Sequence, residues 1–114
     1  MTNDARATVV LLHESGHGMQ ERAGIDPVTP SLLGSAEQLK PLELSADCWA
    51  GVGIAYLIKN RDLPPGALRQ ARSVFVMSGD AVHGNAFERG TSFTAGYRRG
   101  PAACNEIVGR PVFG

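Results

Sequence analysis

Two histidines four residues apart, the first followed directly by a glutamate, stand in His13-Glu14-Ser15-Gly16-His17. This is the residue pattern of a zinc hydrolase site borne on one helix. Each residue of an α-helix turns about 100°, so His13 and His17 share a face and both rings can reach one cation. Glu14 then projects beside that cation rather than onto it. That is the place for a general base, which takes a proton from water without filling the water's coordination position. The surrounding residues read as a helix: Ala7-Thr8-Val9-Val10-Leu11-Leu12 supplies an apolar run, and Gly24 after Ala23 is a helix stop.

A catalytic zinc held by two histidines needs a third protein ligand and an open fourth position, and the third ligand is often a carboxylate. Glu43-Leu44-Ser45-Ala46-Asp47 supplies one. Glu43 and Asp47 are again four apart and share a helix face, hemmed by Leu42, Leu44, Cys48 and Trp49. An imidazole that binds metal through one nitrogen usually donates its other N–H to a carboxylate or carbonyl. We therefore assign Glu43 to the metal and Asp47 to a ligand histidine. The spacing leaves the swap open, with Asp47 as the ligand and Glu43 outside, because Asp also binds zinc.

Three strings, Leu12-His13-Glu14-Ser15-Gly16-His17-Gly18-Met19-Gln20, Glu43-Leu44-Ser45-Ala46-Asp47-Cys48-Trp49-Ala50-Gly51, and Gly79-Asp80 followed by His83-Gly84, resemble the neutral zinc metallopeptidase family of bacteria. The resemblance runs from about Val9 to Asn105 in matching order. It implies a zincin-type hydrolase with a gluzincin-like site. Zn2+ would be bound by His13, His17 and Glu43, with Glu14 as the base, Asp47 as partner of a ligand histidine, and a peptide or protein as substrate. The chain departs from the family's usual pattern at His17-Gly18, where two histidines commonly stand in a row, and at Gly79-Asp80-Ala81, where two aspartates do. Asn85 stands where Thr or Ser often follows His-Gly, and the segment from Asp80 to His83 is short for the family. Neither of the first two changes removes a proposed ligand.

His83 is a candidate donor to the oxyanion of a tetrahedral intermediate, or else a loop histidine capping the fourth helix. Arg89 would hold a substrate carboxylate or pair with Asp80 or another acid. Cys48 and Cys104 both lie in strings that resemble the family's, and they would form one disulfide closing the C-terminal tail onto the second helix. Such a bond would place the protein outside the cytoplasm. Cys48 as a metal ligand is disfavoured, since it faces away from Glu43.

The elements that must position these residues read as about four helices in one domain spanning 1–114, a mainly α chain with no clear strand. The first is capped by Asn3 or Asp4 and runs to about Ala23. A loop from Ile25 to about Lys40 leads to a second helix from about Pro41 to Asn60. The third spans Gly66 to Met77. The fourth is opened by Asn85 with Glu88 three residues on, and runs to about Arg98. The composition, 114 residues with 43% hydrophobic, suits one core. Eleven basic and eleven acidic residues balance, so there is no electrostatic footprint for nucleic acid. No apolar run approaches the roughly 20 residues that span a bilayer, and Met1 to Asp4 carry no signal-peptide pattern. The expectation is a soluble chain without a membrane segment.

A zincin normally carries a sheet ahead of its metal-binding helix, and only about eight residues precede Val9 here. The resemblance thus leads us to expect a chain that begins inside a longer gene product, with the upstream sheet absent or minimal. The alternative function is a non-catalytic domain stabilised by zinc.

Overall fold

The computed structural model describes residues 5–26, 36–80 and 83–109. These form five helices: α1 (Ala5–Arg22), α2 (Ala36–Lys59), α3 (Ala67–Met77), α4 (Ala86–Arg99) and α5 (Pro101–Val108). Among the described residues there is no strand beyond a single bridge between Asp80 and Gly84. The fold is mainly α, as the sequence predicts, and no described helix is long and apolar enough to cross a membrane.

Helix α2 is the axis of the molecule, packed by all four other helices. Seven consecutive residues, Ser45 to Gly51, are buried on it, which a helix shows only when it is covered on every side. One core joins Val9 of α1, Ala50 and Ile54 of α2, Ala71 and Phe75 of α3, and Phe93 of α4. A smaller one gathers Cys48, Trp49, Ala103 and Cys104. Two glycines set the α2–α4 distance. A Cβ on Gly96 would lie 1.9 Å from the Cys48 carbonyl oxygen, and one on Gly51 would lie 2.0 Å from that of Phe93. The two backbones therefore touch without side chains between them.

The helix ends follow local chemistry. α1 stops where Gly24 takes a positive φ of 84°, Ile25 N–H returns to the Gln20 carbonyl and Gly24 N–H to that of Glu21. α4 starts with both halves of a capping box, Asn85 accepting from Glu88 N–H and Glu88 from Asn85 N–H. The proposed Asn3 or Asp4 cap lies outside the described residues.

Two expectations are corrected. α2 begins at Ala36 rather than near Pro41, which lies inside it. Proline there forgoes one i→i−4 bond, to the Glu37 carbonyl, a cost offset by burial of Leu39 and by the Lys40–Glu88 ion pair at 3.2 Å. The fifth helix is an addition to the predicted four. Gly100 ends α4 with a φ of 78°, Pro101 opens α5 at a position where its missing N–H costs nothing, and Gly109 closes it in the left-handed region.

Candidate metal centre

The buried stripe of α1 is Ala5, Val9, His13, Gly16 and Gln20, spaced by four, four, three and four residues. The histidines therefore belong to the face that packs on α2. Gly16 permits the approach: a Cβ there would sit 3.1 Å from the Ala46 Cα. This brings the α1 histidines level with Glu43 and Asp47 of α2.

His13, His17 and Glu43 form one cluster whose donor atoms all lie within 4.8 Å of one another, a group that can hold a metal ion. Glu43 Oε2 lies 3.2 Å from His13 Nε2 and 2.6 Å from His17 Nε2. Donors about 2.0–2.1 Å from one tetrahedral ion are roughly 3.3 Å apart. The first distance already matches that spacing, the second has to open by roughly 0.7 Å, and the remaining pair stays within 4.8 Å, so small side-chain shifts would bring this donor set around an ion of this kind.

Each ring is held from behind. His13 Nδ1–H donates to Asp47 Oδ1 at 2.8 Å, and His17 Nδ1–H donates to Gln20 Oε1 at 2.9 Å. Neither acceptor has a proton to give, so both Nδ1 atoms carry hydrogen and both Nε2 atoms face Glu43. Asp47 is itself fully buried and gripped by Arg89, with Nε on Oδ2 and Nη2 on Oδ1, each at 2.8 Å. Arg89 lies 5.0 Å from the Phe75 ring centroid, and its Nη1 reaches the Ser78 carbonyl. The guanidinium is thus committed to Asp47 and buried.

Electrostatics follow from this geometry. Burial alone would discourage charge on His13, but hydrogen bonds to Asp47 and Glu43, with their charges, outweigh it and raise its pKa from 6.5 to about 9. His17 is raised in the same way, burial being outweighed by its bonds to Glu43 and Gln20. Burial would push Glu43 up, yet hydrogen bonds from both imidazoles hold it well below the usual carboxylate range. Without an ion, the cluster is a proton-bridged carboxylate and imidazolium group. A cation that binds there has to displace those protons.

Two proposed residues stand at the rim. The Glu14 side chain is 68% exposed, with Oε1 4.0 Å from His13 Nε2. His83 is not the cap of α4, a role Asn85 fills. Its backbone N–H and Nδ1 both bond Asp80, at 2.6 and 2.8 Å, and its Nε2 lies 3.6 Å from Glu43 Oε1. Cys48 and Cys104 form a disulfide with a Cα separation of 5.4 Å, tying α5 to α2 one residue from Asp47. Sequence reasoning missed the part played by Gln20. Its place three residues after His17, on the same helix face, was the available signal.

The fold and the cluster together define an all-helical domain with a two-histidine, one-carboxylate site that can bind metal. No family model matches the chain, and no solved structure matches it. It is similar to the Uncharacterized protein YpfJ of Escherichia coli K12 and of Escherichia coli O6:H1 strain CFT073, at 30% identity over 118 residues in each case. The match covers 84% of this chain and 41% of each relative, so the chain spans about two fifths of the length of the curated relatives it matches.

Proposed function

We propose that this chain carries the metal site of a zinc-dependent peptidase. Two imidazoles and one carboxylate are the ligand set of many catalytic zinc sites. The reading draws its main support from Glu14, whose exposed carboxylate lies 4.0 Å from a ligand nitrogen yet outside the three-residue cluster. His13, His17 and Glu43 would hold the zinc, which would supply Lewis acidity toward water and a peptide carbonyl. Glu14 takes the proton from the attacking water and passes it to the leaving amine. Asp47, braced by Arg89, keeps His13 in the ligating tautomer. His83, whose Nδ1 is fixed by Asp80, presents its Nε2 as the candidate donor to the developing oxyanion. The resemblance to the neutral zinc metallopeptidases agrees with these roles. The disulfide favours an oxidising compartment outside the cytoplasm.

The test is Glu14→Gln, which should keep zinc and abolish hydrolysis of an unstructured protein substrate, beside His13→Ala and Glu43→Ala, which should lose both. Full activity in Glu14→Gln would overturn the mechanism. A second reading, a non-catalytic domain that zinc stabilises, is favoured by one observation. Among the described residues no strand offers an edge for a peptide to extend. It predicts that a chelator destabilises the fold while the zinc-loaded chain hydrolyses nothing.

A further inference from the structure

Gln20 is fully buried, although glutamine usually faces water. Both ends of its amide are in use. Oε1 accepts from His17 Nδ1–H at 2.9 Å, and Nε2 donates to the Leu42 carbonyl at 2.8 Å. These partners dictate the side chain, because one must give a proton and the other must receive one. Glutamate would set an acceptor against the Leu42 carbonyl. Methionine would fill the space and offer neither bond. A carboxylate would also be a third buried acid beside Glu43 and Asp47, where the Arg89 guanidinium is already engaged by Asp47.

From this geometry we infer that Gln20 is a positioning residue of the metal centre. It holds the His17 ring with Nδ1 protonated and Nε2 turned toward Glu43, the position from which Nε2 would ligate an ion once its own proton is displaced, and through the Leu42 carbonyl it locks that ring to the residue preceding the carboxylate ligand. The two ligand helices are thereby joined at the site by one side chain. The backbone of Gln20 is anchored as well, its carbonyl accepting from Ala23 and Ile25 at the end of α1. The two histidines are consequently held unequally: His13 by a charged carboxylate that Arg89 braces, and His17 by a neutral amide. The inference rests on the metal reading of the cluster and is independent of hydrolysis.

The experiment measures zinc affinity by competition with a chromogenic chelator, and the 15N signals of the histidine rings, in the zinc-loaded full chain, in Gln20→Met and in Gln20→Glu. Gln20→Met should weaken zinc about ten- to a hundredfold, and should lose the slowly exchanging, hydrogen-bonded Nδ1–H signal of His17 while His13 keeps its own. Gln20→Glu retains an acceptor for His17, so it should preserve that ring signal and recover part of the affinity. Affinity within twofold of the parent in Gln20→Met, with an unchanged His17 ring, would overturn the inference. So would equal changes at His13 and His17, the mark of a general loosening. If Gln20→Met does not fold, a folded Gln20→Glu that has lost the His17 signal contradicts it, and one that has kept it supports it. Failure of the parent chain to bind zinc at all is a different result, which removes the metal reading itself.

Discussion

Helix α2 makes two seams of opposite chemistry. Against α4 it meets backbone with backbone, Gly51 under the Phe93 carbonyl and Gly96 against the Cys48 carbonyl, and the neighbouring disulfide adds α5 to the same side. Against α1 it closes over Gly16 and then over His13, His17, Gln20, Glu43 and Asp47, all in hydrogen bonds or ion pairs. The first seam is set mainly by shape, and its charged groups, Arg89 with Asp47 and Lys40 with Glu88, are already paired with each other. The second is a balance of donors and acceptors that an ion rearranges. The comparison separates a preset wall, which carries Asp47 and Arg89, from the helix that answers to metal.

The largest effect should come from spoiling the preset wall. Gly96→Ala places a methyl 1.9 Å from the Cys48 carbonyl oxygen, so the helices must part, at a cost of at least about 4 kcal/mol that thermal denaturation would register. Gly18→Ala is its control. Nothing lies within 4 Å of that Cβ, and the change should be neutral or stabilise by up to about 1 kcal/mol.

Next is the link between wall and site. Arg89→Met strands Asp47, a fully buried carboxylate, and should cost about 3 kcal/mol in denaturant unfolding. Adding Asp47→Asn should recover part of that loss, since an amide oxygen still accepts from His13. If the double variant is no better than the single one, Arg89 acts by packing on Phe75 rather than by balancing charge.

The smallest and most gradual effect is the response of the α1 seam to pH. In the metal-free chain the folded state holds the His13 proton more tightly than the unfolded chain does. Its contribution is therefore complete below about 6.5 and is lost as pH rises through about 9, by at most about 1.4 kcal/mol per pH unit. Glu43 acts on the acid side, with stability present above 4.5 and lost as pH falls below it. Zinc should abolish that fall between 6.5 and 9, because ligated histidines carry no Nε2 proton for the folded state to lose. Urea midpoints across that range should fall with chelator present and stay level with zinc. Parallel slopes would mean that the cluster does not bind the ion.

What the sequence allowed one to read was local or periodic. The paired residues four apart, His13 with His17 and Glu43 with Asp47, place their side chains on shared helix faces, and the Asn85–Glu88 box needs only its own turn. What escaped depends on distant partners. Arg89 meets Asp47 across 42 residues, and nothing near Arg89 in the chain singles out that acid over Asp80. Gln20 is explained by the Leu42 carbonyl, a backbone group that no residue type reveals. The start of α2 depends on the burial of Leu39 and on Glu88, supplied by another helix, so local propensity favoured Pro41 instead. The fifth helix was legible in Gly100-Pro101 and Gly109, but eight residues carry too short a pattern to declare a face.

The central claim is that His13, His17 and Glu43 bind one zinc. Plasma mass spectrometry on chain purified without a histidine tag, beside Glu43→Ala, tests it most directly. The account predicts about one zinc per chain, lost in the variant. No zinc after supplementation, or equal zinc in both, would contradict it.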